Sequence, residues 1–294
     1  MHDDEVSTDA TLVRTLLRAQ FPQWADYSIE PVESAGTDNA IYRIGDELVA
    51  RLPRIEWAVR QIELERTWMP RLAPHLPLEI PSPIATGAPG AGYPWPWAIH
   101  HWIPGENIAP GARDALEPIA RDVAAFLRAL RAIDPTGGPR PFPGRRGAPL
   151  APRDTETRAA IAELHDDLDT DAALRVWESA LAAREWRGAP VWFHGDMLPG
   201  NLIVHDGRTR AVIDFSGAGV GDPACDLMIA WALFSGESRA VFRAAVDLDD
   251  DTWSRARGHA VSQAALFIPY YRDTNPLGVA RARQLMHEVL ADPR

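Results

Sequence analysis

Apolar residues recur at three- and four-residue steps along much of the chain, which is the period of an amphipathic helix. The strongest such pattern predicts a helix over residues 113–133, and Asp134-Pro135 then ends it. A second pattern predicts a helix over residues 56–72. Further helices are predicted from Thr8 or Asp9 to Phe21 and over residues 154–164, 171–186, 225–234, 253–271 and 276–290.

Short apolar runs bounded by turn residues predict strands in two places. Near the start of the chain, residues 29–33, 40–44 and 48–52 are separated by polar or glycine-containing turns. Farther along, residues 202–204 and 211–213 flank a His-Asp-Gly turn, which predicts a hairpin. Strands are therefore expected to gather near the start of the chain, with one hairpin among the later helices.

The distribution of these elements predicts an α+β fold with two lobes. Residues 1–103 are expected to form a small, sheet-rich N-terminal lobe, and residues 104–294 a larger, mostly helical C-terminal lobe. The boundary falls where an apolar strand, residues 98–102, runs into Pro104-Gly105. With 294 residues the chain is long enough to bury a sizeable core.

Composition narrows the classes of function. The formal net charge of −11 argues against a nucleic-acid backbone as partner and is compatible with a cationic one. The chain contains no Lys, so the Gly-Lys-Ser/Thr of a Walker A loop is excluded. Cys225 is the single cysteine, so no intramolecular disulfide is possible. The longest apolar run, residues 227–234, is too short to span a bilayer. The opening residues are acidic, unlike a secretory leader, so we expect a cytoplasmic protein with no membrane partner. We also expect a monomer or a weak dimer.

Residues 192–222 carry the pattern that is most specific for chemistry. His194-Gly195-Asp196 is followed five residues later by Asn201, and an apolar run then ends at Asp214. Phosphoryl transfer needs a positioned base and oxygen ligands for a hard cation, and a kinase supplies them at this spacing. Acids that only cap turns and helices are the plain alternative, but motifs in this order favour a catalytic interpretation.

The sequences HGDMLPGN, VIDF and GDPACDL resemble the aminoglycoside phosphotransferase family, the antibiotic kinases that share the protein-kinase-like fold. The resemblance implies that Asp196 is the catalytic base, that Asn201 and Asp214 bind Mg²⁺, and that Asp222 and Asp226 are structural acids. It further implies O-phosphorylation of a small hydroxylated molecule by ATP or GTP. An aminoglycoside-type antibiotic is the first expectation, with resistance as the result.

Two segments of the N-terminal lobe are expected to bind the nucleotide phosphates. Ser34, Gly36 and Thr37 lie in a turn where a kinase places its nucleotide loop, although a full Gly-x-Gly-x-x-Gly is absent. Arg51 stands where kinases have the Lys of Val-Ala-Ile-Lys, and an arginine keeps the charge and grips phosphate through two donors. The resemblance assigns Glu65 as its ion-pair partner, with Glu63 as the alternative.

The strand before Pro104-Gly105 is predicted to contact adenine through its backbone. Within it, Ala98, His100 and Trp102 are the candidate contacts. His100 and His101 cannot share a metal from this strand, because adjacent side chains point to opposite faces.

The resemblance places four acids around the acceptor pocket, where they could hold the amines of a cationic acceptor: Asp154, Glu156, Glu237 and Asp273. Each also fits a helix N-terminus or a solvated surface. The alternative acceptors are a macrolide, a basic peptide antibiotic, a sugar, choline or homoserine. A non-catalytic nucleotide-binding homologue is the alternative from another class, and a protein kinase is disfavoured because no Ala-Pro-Glu follows Asp214.

Overall fold

A computed structural model describes residues 5–32, 38–108 and 115–292 of the chain. The α-helices are α1 (Ala10–Gln20), α2 (Glu56–Leu72), α3 (Glu117–Ala132), α4 (Asp154–Ala162), α5 (Thr170–Ala182), α6 (Ile229–Ala232), α7 (Gly236–Val246), α8 (Asp250–Tyr271) and α9 (Pro276–Ala291). The strands are β1 (Ile29–Pro31), β2 (Asn39–Ile44), β3 (Leu48–Pro53), β4 (Pro83–Gly87), β5 (Trp97–His101), β6 (Glu106–Asn107), β7 (Val191–Phe193), β8 (Leu202–His205), β9 (Arg208–Val212) and β10 (Gly219–Gly221). The α+β class, with a sheet-rich N-terminal part and a helical C-terminal part, is confirmed.

The chain divides into two compact units. Unit 1 comprises Met1–Gly105 and Ala211–Ser216, and unit 2 comprises Glu106–Arg210 and Gly217–Arg294. The short return to unit 1 has a local cause, since Ala211 forms a parallel bridge with Glu79 and the Val212 N–H donates to the Glu79 carbonyl at 3.0 Å. The end of β9 therefore belongs to unit 1 although its sequence neighbours belong to unit 2.

Unit 1 is built on an antiparallel sheet in the order β1-β2-β3-β5-β4. Alternate residues of β2 are buried, as expected for a sheet with one covered face. One face of α1 packs into this core through Val13, Leu16 and Leu17. Helix α2 contacts β3, β4 and β5, and its buried positions include Ile62, Glu65 and Met69.

Unit 2 is mostly helical and is centred on α8. This helix packs against α4, α5, α9 and the 3₁₀ segment Pro223–Met228. Helix α3 packs against α7 and against β7, which pairs with β10. A second small sheet has the order β6-β8-β9, and its β8–β9 hairpin precedes Asp214. In the part of the chain that the structure describes, no helix has the length and apolar character needed to cross a membrane.

Several predicted elements differ from the observed ones at their ends. Helix α1 begins where predicted, because the Asp9 carboxylate accepts the Leu12 N–H at 2.7 Å. The predicted helix over residues 225–234 is a 3₁₀ turn followed by the short α6, since Pro223 and the Asp222 cap favour a tight first turn. Helix α7 and the strands β4, β6, β7 and β10 were not predicted from the sequence.

Candidate active site

The predicted catalytic loop follows directly from β7 in unit 2. Phe193, the last residue of β7, pairs with Gly219 of β10, and His194-Gly195-Asp196 follows. Gly195 has a φ of +83°, and a Cβ at this position would lie 2.2 Å from the carbonyl oxygen of Gly217. Only glycine fits this turn, which brings the chain sharply round to Asp196.

A buried carboxylate fixes the loop from the 3₁₀ segment. Asp226 accepts the backbone N–H groups of His194 and Gly195, both at 2.7 Å, and its own side chain is buried. Burial raises the pKa of Asp226, whereas His194, these two N–H donors and Arg131 act in the opposite direction. Asp226 thereby holds the backbone of the two residues that precede Asp196.

Asp196 is held through both of its carboxylate oxygens. Its Oδ2 accepts from the Asn201 amide nitrogen at 3.0 Å, and the same nitrogen donates to the Asp196 carbonyl at 2.8 Å. Its Oδ1 accepts from the guanidinium of Arg146 at 2.5 Å. The structure thus brings Asp196 and Asn201 together, as the spacing predicted, and adds an arginine that the sequence analysis did not identify.

Unit 1 brings the predicted phosphate-binding cation and its acid together. Arg51 of β3 forms a hydrogen-bonded ion pair with Glu65 of α2, whose side chain is fully buried, whereas Glu63 is exposed. The other terminal nitrogen of Arg51 donates to Gln61 at 2.8 Å. Gln61 was missed, although it stands one helical turn before Glu65 and so on the same face of α2.

The charges around Arg51 favour its protonated form. Burial acts against the positive charge, but the carboxylates of Glu65 and Asp214 overcome this, so the pKa of Arg51 lies above its ordinary value. Asp214 lies 3.8 Å from Arg51, measured from carboxylate oxygen to guanidinium nitrogen. Asp214 itself adopts a φ of +63°, a left-handed conformation that is costly for a residue with a side chain and is concentrated at functional sites.

The predicted adenine segment lies largely inside the sheet of unit 1. Ala98 pairs with Arg51 of β3 and with Thr86 of β4. His100 is buried 3.9 Å from a Glu65 oxygen, and burial, reinforced by Arg51, lowers its pKa to about 4. The Trp102 N–H donates to Glu47 at 2.7 Å just past the end of β5.

The remaining candidates are distributed as follows. Ser34, Gly36 and Thr37 fall outside the described residues. Asp154 is engaged within unit 2, because it accepts from Trp177 and Arg158, both at 2.7 Å. The Trp177 hydrogen bond and the Arg158 guanidinium both lower the pKa of Asp154. The other three acids expected near the acceptor are exposed: Glu156, Glu237 and Asp273.

The donor atoms of Asn201 and Asp214 suit Mg²⁺. The Asn201 amide nitrogen is bonded to Asp196, which leaves its carbonyl oxygen as the atom for a cation. The Asp214 side chain is 42% exposed and offers a carboxylate. Both are hard oxygen ligands of the kind that Mg²⁺ prefers. Among the described residues no group of three or more His, Cys, Asp and Glu side chains is placed to hold a metal ion.

Comparison with known proteins identifies the family of the chain. The profile of the phosphotransferase enzyme family matches residues 28–259, which is most of the chain. The chain belongs to this family. It is therefore a small-molecule kinase, and the matched segment includes Arg51, Glu65, Asp196, Asn201 and Asp214. A direct sequence search of the curated proteins gave no match.

Solved structures of phosphotransferases share the fold. The GDP complex of wild-type aminoglycoside 2'-phosphotransferase-IIIa superposes with a TM-score of 0.71 at 19% identity, covering 97% of this chain and 99% of the other. Macrolide 2'-phosphotransferase MphH from Brachybacterium faecium gives 0.63 at 22% identity, with coverages of 97% and 99%. The streptomycin-ATP-APH(2")-IIa ternary complex gives 0.62 at 18% identity, with coverages of 95% and 99%. These similarities show that this chain has the kinase-like fold of the phosphotransferase enzymes.

Proposed function

We propose that the chain transfers the γ-phosphoryl group of ATP or GTP to a hydroxyl group of an antibiotic-type small molecule and so confers resistance. The observation that carries the proposal is the Asp196 carboxylate, held by Asn201 at the end of β7. A carboxylate fixed in this way can accept the proton of an attacking hydroxyl. Membership of the phosphotransferase enzyme family supports the same chemistry.

The other residues take supporting roles in the proposal. Arg51, charged and held by Glu65 and Gln61, binds the nucleotide phosphates. Asn201 and Asp214 would hold Mg²⁺, which neutralises negative charge on the phosphate oxygens when it is bound. Two of the similar structures contain GDP and ATP, respectively, which supports a nucleoside triphosphate as the donor.

An aminoglycoside-type acceptor is the first candidate. Similar structures contain kanamycin, gentamicin and streptomycin, which are hydroxylated. The net charge of −11 supports capture of a cationic molecule from solution. In this proposal the exposed carboxylates of Glu156, Glu237 and Asp273 hold the acceptor amines, and the enzyme works in the cytoplasm, where ATP is available.

A macrolide acceptor is the second candidate, and the surroundings of Asp196 favour it. The charged side chain that contacts Asp196 is a cation, Arg146, while Asp154 is occupied by Trp177 and Arg158. An acceptor with fewer positive charges avoids repulsion by Arg146. Macrolide 2'-phosphotransferases are among the similar structures.

An acceptor panel tests the proposal. The purified protein is incubated with Mg²⁺ and either ATP or GTP, together with single aminoglycosides, macrolides, sugars, choline or homoserine. We expect mass spectrometry to show one added phosphoryl group on at least one antibiotic, and the same protein to raise the tolerance of a susceptible host. Phosphorylation of choline or homoserine alone would replace the antibiotic assignment, and no product with any acceptor would contradict the proposal.

A further inference from the structure

The segment between α3 and α4 lies against the strands β7 and β10 of unit 2. Residues 134–150, here called the strap, have no regular secondary structure, and their sequence predicts only a long loop. Three hydrogen bonds fix the strap to β7, to β10 and to the residue after β10: Trp192 Nε1 donates to Asp134 O at 3.1 Å, Val220 N to Pro139 O at 2.8 Å, and Asp222 N to Gly147 O at 2.9 Å. The strap is therefore a defined part of unit 2.

Gly147 determines how closely the strap approaches β7. Its φ is +77°, and a Cβ at this position would lie 2.1 Å from the ring of Phe193. The backbone can lie against this ring only because the residue is glycine. Since Phe193 is the last residue of β7, the contact holds the neighbouring Arg146 beside the start of the catalytic loop.

Arg146 reaches the loop with a single terminal nitrogen. Its Nη1 donates to the Gly195 carbonyl at 2.7 Å and to Asp196 Oδ1 at 2.5 Å, while Asn201 occupies Oδ2. An ionised carboxylate has about four lone-pair sites, so one on each oxygen remains for an acceptor hydroxyl. The two donors fix the plane of the carboxylate and leave one lone pair on each oxygen for the acceptor.

The size of the interaction argues for a geometric role. The side chains of Arg146 and Asp196 are 29% and 22% exposed, respectively, so water reaches the ion pair and weakens its contribution to stability. A misplacement of ~1 Å at a reacting group, by contrast, can slow a reaction ~10²-fold. The contact is therefore expected to matter more for turnover than for folding.

We propose that Arg146 is a positioning residue for phosphoryl transfer, a role that rests on the function proposed above. In the reaction the acceptor O–H bond breaks and its proton moves to Asp196. A bond forms between the acceptor oxygen and the γ-phosphorus, and the bond to the β–γ bridging oxygen breaks to release the nucleoside diphosphate. Arg146 keeps its charge throughout and holds the carboxylate in the orientation that receives the proton.

Steady-state kinetics of Arg146→Ala, Arg146→Lys and Arg145→Ala test this role. Arg145 is the matched control, because it is the adjacent strap arginine, it is exposed, and its side chain forms no hydrogen bond with the residues that the structure describes. We expect Arg146→Ala to lower kcat roughly 10- to 100-fold while the nucleotide KM stays within about threefold. Arg146→Lys, or guanidinium ions added to Arg146→Ala, should recover part of kcat, and Arg145→Ala should behave as the parent.

A double-mutant cycle with Asp196→Asn separates positioning from a general structural effect. If Arg146 acts through Asp196, adding Arg146→Ala to Asp196→Asn lowers kcat by no more than about twofold further. Losses that multiply would overturn the proposal, as would an Arg146→Ala enzyme with the kcat of Arg145→Ala. If the wild-type enzyme is active and Arg146→Ala has the same kcat, only the positioning role is contradicted. If the wild-type enzyme is inactive on every acceptor, the proposed function is contradicted as well.

Discussion

At the scale of single residues, the active-site side chains of each unit are held by specific partners. Arg51 is gripped by Glu65 and Gln61, so its guanidinium is fixed and stays charged. This sequence uses arginine where kinases commonly use lysine, and the planar fork of arginine lets it bond to both side chains at once. The same preorganisation should let Arg51 bind phosphate without further ordering.

Substitution of Arg51 tests its phosphate-binding role. Arg51→Ala should raise the ATP KM and lower kcat, with a combined loss in kcat/KM of roughly 10- to 100-fold, because a charged hydrogen bond is worth about 1.5–3 kcal/mol. Arg51→Lys should keep part of the activity through its retained charge. Arg66→Ala is the control, since Arg66 is exposed on α2. ATP kinetics unchanged in Arg51→Ala would assign phosphate binding to another residue.

At the scale of elements, short strands and tight turns position the predicted catalytic groups. The loop after β7 depends on Gly195, and Asp226 of the 3₁₀ segment accepts two of its backbone N–H groups. The β8–β9 hairpin leads to Asp214, which takes a left-handed conformation. These constraints are local to each unit.

Asp226→Ala tests how strongly the 3₁₀ segment supports the loop. The variant leaves the buried N–H groups of His194 and Gly195 without their acceptor, and each such loss costs about 1–3 kcal/mol. We expect the free energy of unfolding to fall by about 2–4 kcal/mol in denaturant titrations. The exposed Asp166, substituted by Ala, should change it by less than about 0.5 kcal/mol. An Asp226→Ala protein as stable as Asp166→Ala would contradict this account of the loop.

Sequence patterns predicted most of the longer elements, with α7 as the exception, and predicted the short ones poorly. Helix α2 has the predicted bounds because its apolar positions keep the helical period over several turns. Strands β6, β7 and β10 are two or three residues long, too short for any period to show. The Arg146–Asp196 contact joins residues 50 positions apart and leaves no local pattern, whereas Asp196 and Asn201 lie within one motif.

At the scale of the whole molecule, charge bears on the choice of acceptor. The chain carries a net charge of −11, which favours cationic molecules, yet the charged side chain that bonds to Asp196 in unit 2 is an arginine. Long-range attraction and the local environment of the base therefore favour different acceptors. Composition alone predicted the long-range attraction of cationic molecules. The local environment of Asp196 could not be predicted from the sequence, because Arg146 reaches Asp196 only in the folded chain.

The salt dependence of the acceptor KM separates the two acceptor classes. Between ~0.1 M and ~1 M ionic strength the Debye length falls from roughly 10 to 3 Å, which screens attraction between an acidic protein and a cationic acceptor. For an aminoglycoside we expect the acceptor KM to rise steeply over this range and the ATP KM to rise less. Both constants are measured at several salt concentrations with the best acceptor. A flat acceptor KM would contradict electrostatic capture and favour a macrolide or a neutral metabolite.

The central claim is that Asp196 accepts the proton of the acceptor hydroxyl during phosphoryl transfer. Its most direct test is to measure kcat for product formation and the affinity for Mg-ATP in Asp196→Asn beside the parent enzyme. The asparagine keeps the size of the side chain but cannot take up the proton, so we expect kcat to fall by ~10²-fold or more and ATP affinity to stay within a few-fold. An Asp196→Asn enzyme that turns over at nearly the parent rate would contradict the account.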